Sequence, residues 1–268
     1  MDWNDYQSTI KKYYQIDEDV SDQIYALETP NIPEKLHYNT QIQIYKSTVP
    51  NTLPIGEPLI DSLYHHRLGP SLANITEICG PRSAGKTFYC LQLAKKLLEC
   101  NLEAKVLWIQ TRVDFDFSRL RELNVDMSRI YLVKAYIPAE LFMALNKAGH
   151  YPEIRMIVID SIVNPFLNYP QQAELLQIFG QKLRWLCGCL PAFGIVTNYC
   201  YEDAWMPPIF GDLWSWAIDQ RVNLYRKGTG RFAYLSKCFN TRDGCSPNQK
   251  LISFEICDSG IHNCKACK

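Results

Sequence analysis

From about residue 52 the apolar positions of the chain follow two alternating patterns. Short continuous runs read as buried strands, and runs with a 3.6-residue repeat read as helices. "NITEIC" (74–79) is an apolar strand leading into a glycine-rich loop. "KTFYCLQLAKKLLEC" (86–100) sets Cys90, Leu91, Ala94, Leu97 and Leu98 at helical spacing. "KVLWIQ" is a strand, "FSRLREL" a helix, "IYLVK" a strand, and "PAELFMALNKA" a helix opened by Pro138. "EIRMIVID" is a nearly unbroken apolar run ending in Asp160. "QQAELLQIFGQKLRWLCG" is helical and "FGIVTN" is a strand. The alternation then stops, and "WAIDQRVNLYRKG", "GRFAYLSKCFN" and "KLISFEICD" are three strand-like runs separated by turn residues. Strand–helix alternation predicts an α/β fold with a mostly parallel sheet flanked by helices. The last runs predict an antiparallel C-terminal extension of that sheet.

Residues 1–50 differ from this pattern. They are rich in Asp, Gln, Tyr and Pro; "DYQSTIKKYYQI" reads as a short helix and "ETPNIPEKL" as a linker. "QIQIYKSTV" (41–49) alternates Ile42 and Ile44 with polar neighbours, as a strand does. The organisation expected is an extension and linker over 1–50, a core over 51–262 and a tail over 263–268.

Composition narrows the function classes. The 268 residues are 47% apolar and 21% charged, an ordinary globular mix. Lys plus Arg and Asp plus Glu are 28 each, so net charge supplies no autonomous grip on nucleic acid. The longest nearly uncharged apolar run, "WLCGCLPAFGIV", is shorter than the roughly 20 residues a bilayer span takes. The opening "MDWNDYQSTIKKYY" lacks the pattern of a secretory signal, and the eleven scattered cysteines read as reduced thiols of an intracellular protein. Cys257, His262, Cys264 and Cys267 are either four zinc ligands or part of a frayed tail.

The chemistry begins at "GPRSAGKT", Gly80, Pro81, Arg82, Ser83, Ala84, Gly85, Lys86 and Thr87. It fits G-x-x-x-x-G-K-S/T in full, after a strand and before a helix. The glycines let backbone N–H groups close around phosphates, Lys86 reaches the outer phosphates, and Thr87 offers its hydroxyl to Mg²⁺. The helix adds its positive N-terminal end. The alternative is a degenerate loop that holds nothing. Asp160, after four apolar residues, is the candidate for the magnesium's water shell; otherwise it is a turn aspartate.

Over residues 50–262 the chain resembles the eukaryotic RecA-like recombinases, in particular their paralogues. The match runs in order through "TLPIGEPLIDSLYHHRLGPSLANITEICGPRSAGKT", "VLWIQTRVDFDFSRLREL", "IVIDSI", "FGIVTN" and "GDLWSWAIDQRVNLYRKGTGRFAYLSKCFN" to "ISFEICDSGI". The resemblance implies a RecA-like P-loop ATPase core binding ATP and Mg²⁺ and action in the nucleus. The implied partners are a second paralogue and the main recombinase filament on single-stranded DNA. It also implies that the glutamate orienting the attacking water is replaced by Arg112, and the glutamine sensing the γ-phosphate by Tyr199. Arginine stays protonated and cannot serve as a general base. The expectation is therefore an ATP-binding helper in homologous-recombination DNA repair, with weak or no ATPase. Asp114 or Asp116 substituting as base remains open, as do an active filament-forming ATPase and a structural subunit with a relic loop. The two loops the family uses for DNA are here "SIVNPFLNYPQQ", without a basic residue, and "YCYEDAWMPPIFGDLW", aromatic and acidic. Glu202, Asp203 and Asp212 repel phosphates, whereas Tyr201, Trp205 and Phe210 either stack on bases or face a protein. In "QIQIYKST", Ile44 and Tyr45 are the candidates for insertion into a neighbouring protomer's sheet; the alternative is an edge strand of the same domain.

Overall fold

The structure, a computed structural model, describes residues 50–67, 69–112, 123–200, 207–238, 251–257 and 260–263. Ile44, Tyr45, Asp114, Asp116, Tyr201, Glu202, Asp203, Trp205, Cys264 and Cys267 lie outside them, as does the helix expected over 117–123 but for Leu123.

A short helix, α1 (Pro58–Asp61), precedes the first strand. Then come β1 (Ile75–Gly80), α2 (Lys86–Cys100), β2 (Lys105–Gln110), β3 (Ile130–Lys134), α3 (Pro138–Ala148), β4 (Ile154–Asp160), α4 (Val163–Phe166), α5 (Gln172–Cys189), β5 (Phe193–Tyr199), α6 (Gly211–Ser215), β6 (Gln220–Lys227), β7 (Gly230–Cys238), β8 (Ile252–Cys257) and β9 (Gly260–Asn263). The nine strands among the described residues form one sheet in the order β3-β2-β4-β5-β1-β6-β7-β8-β9. Pairings from β3 through β6 are parallel, and those from β6 through β9 are antiparallel. The expected antiparallel extension is thus present as β7–β9. β6, the first of the three terminal runs, pairs parallel with β1 and carries the reversal. β9 is a further strand at the end of the core.

Burial explains the apolar runs. β1 and β4 are buried at every position because neighbours lie on both sides and helices on both faces, as parallel strands require. The edge strand β3 buries only its first residue fully. α2 turns Phe88, Cys90, Leu91, Ala94, Leu97 and Leu98 onto Ile78, Val106, Trp108, Val158 and Ile195 of the sheet. Elsewhere Phe179 of α5 gathers rings: Phe142 at 5.7 Å, Phe166 at 5.3 Å and Trp214 at 6.4 Å between centroids. Trp214 is therefore wholly buried, while Trp216, two residues on, is 43% exposed.

Register determines what the sheet presents at its carboxyl edge. Gly80 pairs with Tyr199 across β1 and β5, and Gln110 pairs with Asp160 across β2 and β4. Four strands therefore end in one row, at the place where open α/β sheets bind ligands.

Candidate functional site

The loop between β1 and α2 occupies that row. Ser83 (φ 60°) and Gly85 (φ 107°) have left-handed backbone on either side of Ala84, a shape that makes an anion-binding concavity. Gly80 is fixed by space, and Gly85 by space as well as by φ. A Cβ on Gly80 would lie 2.2 Å from the Leu224 carbonyl oxygen of β6. One on Gly85 would lie 2.6 Å from Ile256 Cδ1 of β8. The loop is thus pressed between α2 and the terminal strands.

Lys86 and Thr87 open α2, where unpaired backbone N–H groups favour an anion. Lys86 is buried, and its Nζ donates to the carbonyl oxygens of Gly80 (2.8 Å) and Pro81 (2.7 Å). Burial pushes its ammonium down to about 8, against the opposing pull of Asp160. Thr87 Oγ1 donates to Asp160 Oδ2 at 2.7 Å, and Thr197 Oγ1 donates to Asp160 Oδ1 at 2.5 Å. A hydroxyl and a carboxylate facing each other are hard oxygen donors, so Thr87 and Asp160 fit Mg²⁺.

Arg112 and Tyr199 meet across the row. Arg112 Nη1 donates to the Tyr199 hydroxyl, and the Lys86 ammonium lies 4.2 Å from the Tyr199 ring centroid. Burial pushes the Tyr199 phenol up from its ordinary range. Gln110 donates to the Arg112 carbonyl, while its own Oε1 is buried with no hydrogen-bond partner among the described residues. Gln110 is also one of the residues that line the cleft, and a buried acceptor of this kind is commonly met by ordered water.

These residues line a cleft of about 480 Å³. It brings together Arg82, Ser83, Gly85, Lys86, Thr87 and Asp160, all expected from sequence, with Arg112 and Tyr199 opposite. Gly80 and Pro81 contribute carbonyls beneath Lys86, and Ala84 is buried behind the loop. Gln110, Arg226, Arg231 and Ile256 also line the cleft, and sequence reasoning missed them. A signal existed for the two arginines: they flank the tight turn in "YRKGTGRF", and hairpin register makes them direct partners.

Behind the loop, Glu77 of β1 is fully buried. It accepts from Arg221 Nε of β6 and from Asn198 Nδ2 of β5 at 2.7 Å. This network holds the three strands that carry the loop.

Of the proposed zinc ligands, Cys257 and His262 are described. They share a face of the β8–β9 ladder, where Cys257 pairs with Gly260 and Glu255 with His262. No group of three metal-ligating side chains is present among the described residues.

No family model matches the chain. It is similar to RAD51-like protein 1 of Caenorhabditis briggsae, 23% identical over 221 residues that cover 75% of this chain and 89% of that protein. It is also similar to DNA repair protein RAD51 homolog 3 of Cricetulus griseus, 23% identical over 244 residues that cover 73% of this chain and 64% of that one. The chain therefore spans just under two thirds of the second relative. With its mostly parallel sheet and antiparallel terminal strands, and with these relatives, the chain is a distant homologue of the eukaryotic RecA-like recombinase paralogues.

Proposed function

We propose that this protein holds ATP with Mg²⁺ and hydrolyses it poorly, acting as a nucleotide-bound helper in homologous-recombination DNA repair in the nucleus. One observation carries the reading: the cleft has the complete G-x-x-x-x-G-K-S/T set and, among the described lining residues, a single carboxylate, Asp160. Both oxygens of that carboxylate accept from threonine hydroxyls. Lys86, Thr87 and the α2 N-terminus are placed to receive the phosphates. Where the family places its water-orienting glutamate, Arg112 stands instead and binds Tyr199. A guanidinium supplies charge to phosphate oxygens but accepts no proton from water. When bound, Mg²⁺ would be held through Thr87 and Asp160 and would neutralise phosphate charge.

The partners that fit this role are a second paralogue and the main recombinase filament, with single-stranded DNA reached mainly through the complex. The loop following Asp160 supports weak DNA binding by the lone chain. It offers no cation, and it exposes Leu167 and Tyr169. No described helix is long and apolar enough to cross a membrane.

Lys86→Ala tests the nucleotide site. Removing a charge-assisted phosphate contact is expected to weaken ATP binding about tenfold or more in a calorimetric titration. Equal affinity for parent and variant would contradict the site.

A further inference from the structure

Two thiols stand at the root of the phosphate loop, and the nucleotide site uses neither. Cys79 precedes Gly80 at the end of β1, and Cys200 is the first residue past β5. β1 and β5 are parallel neighbours, with Cys79 beside Asn198 and Gly80 beside Tyr199. The pairing continues past the strand end, where the Cys200 N–H donates to the Gly80 carbonyl oxygen at 3.4 Å. Asn198 Nδ2 donates to Glu77 Oε1, so these two side chains project to one face of the sheet. Cys79 and Cys200 lie two residues further along their strands, and side chains two apart share a face. The two sulfurs are thereby brought together, with the Cys79 thiol hydrogen-bonded to Cys200. Neither is in a disulfide.

The two differ in exposure and in charge. Cys79 is wholly buried, whereas Cys200 keeps 9% of its surface. The bond to Cys200, together with burial, pushes the Cys79 thiol far above its ordinary range. The same bond draws the Cys200 thiol down, opposed by burial and helped by the Lys86 ammonium. Cys200 therefore has the character of an attacking thiol, and Cys79 that of a resolving one. A bond between them would also reach the cleft. The Tyr199 ring, one residue before Cys200, lies 4.2 Å from the Lys86 ammonium, and Lys86 donates to the Gly80 and Pro81 carbonyls. To meet phosphates, Lys86 has to turn from those carbonyls. Joining Cys79 to Cys200 fixes Gly80 and Tyr199 in the arrangement that keeps it there.

We propose that Cys79 and Cys200 are a redox-active pair which a peroxide closes to a disulfide, and that the closed form holds nucleotide more weakly than the dithiol. The Cys200 thiolate attacks one peroxide oxygen; an S–O bond forms, the O–O bond breaks and hydroxide leaves. Cys79 then attacks the sulfenic sulfur; the S–S bond forms, the S–O bond breaks, and the departing oxygen leaves as water. Two thiols lose two electrons, and the peroxide takes them to become two waters. Where thiols are kept reduced such a bridge is transient, which suits a switch. The effect on affinity rests on the nucleotide-binding reading above; the bridge itself does not.

The test treats the reduced full chain with hydrogen peroxide, maps its cysteine peptides by mass spectrometry, and titrates reduced, oxidised and dithiothreitol-restored protein with ATP in a calorimeter. A peptide joining Cys79 to Cys200 is expected, separable by dithiothreitol. The oxidised chain should bind ATP about fivefold or more weakly, and dithiothreitol should restore it. In Cys200→Ser the linked peptide should be absent, and peroxide should leave ATP affinity within about twofold. Peroxide that yields no such peptide would overturn the proposal and leave the two thiols as core packing. A bridge that forms without weakening ATP binding would overturn the switch. A loss of affinity as large in Cys200→Ser as in the parent would assign it to another cysteine and overturn the proposal likewise. Reduced parent that does not bind ATP would overturn the nucleotide reading, and the switch with it, whether or not the bridge forms. Should Cys200→Ser fail to fold, Cys79→Ser takes its place, and the comparison of reduced with oxidised parent needs no variant.

Discussion

Lys86 connects the site to pH. Burial holds its ammonium near 8 in the free protein, below the ordinary lysine value. The unfolded chain therefore binds more protons than the folded one between about pH 8 and the ordinary value near 10.5. Across that window this group's contribution to stability rises with pH, and below it the burial cost is fully present. A bound phosphate favours the charged form and restores the pKa. At about pH 8.5, ATP binding is thus expected to take up a fraction of a proton, and near pH 7 this uptake by Lys86 should largely disappear. Calorimetry in buffers of different ionisation enthalpy reads the proton directly, and Lys86→Arg should abolish it. Equal proton uptake at both pH values in the parent would mean that the ammonium is not depressed. At this scale the sequence was most informative where chemistry requires a fixed residue at a fixed spacing, as in "GPRSAGKT" and Asp160. It was silent on Gln110 and Ile256, because nothing local marks which side chain of a buried strand will end at a cleft.

The elements were legible where the local apolar pattern is regular. α2, β2, β3 and α3 occur over the ranges their patterns predict, and β1, β4, α5 and β5 within a residue or so. Continuous apolar runs and 3.6-residue repeats are read locally, but pairing is not. The parallel seating of β6 against β1 depends on Gly80 lying beneath the Leu224 carbonyl and on Glu77 meeting Arg221, contacts between residues far apart in sequence. Arg226 and Arg231 flank a turn that the sequence marks, but their place at the cleft depends on sheet order, which no local signal carries. The buried network behind the loop carries a prediction at this scale. Glu77→Ala leaves the Arg221 guanidinium without its carboxylate in the sheet interior and should cost about 3–5 kcal/mol. Chemical denaturation would read this loss. A change below about 1 kcal/mol would mean that water already solvates Arg221. Gly80→Ala should also unfold or distort the loop, because the obstacle is a backbone carbonyl that has no rotamer to yield.

For the whole molecule, charge is balanced in total and uneven in place. The chain is neutral with 28 charges of each sign, yet the described residues lining the cleft include Arg82, Lys86, Arg112, Arg226 and Arg231. Long-range attraction for a nucleic-acid backbone is weak, while local attraction for phosphates is strong. The lone chain is therefore expected to bind single-stranded oligonucleotides only weakly, in the micromolar range or above at physiological salt. Fluorescence anisotropy checks this, and nanomolar binding by the chain alone would point to an autonomous filament former. The central claim is that ATP is held and not turned over, and phosphate release from the purified chain at saturating ATP and Mg²⁺ tests it most directly. The measurement is made with and without single-stranded DNA, alongside Lys86→Ala. A positioned general base is worth roughly 10²–10⁴-fold in rate. With Arg112 in its place and Asp160 occupied by two hydroxyls, the expected result is release indistinguishable from that of Lys86→Ala, with the bound nucleotide recovered as ATP. Phosphate release at the rate of an active recombinase, abolished by Lys86→Ala, would contradict the account.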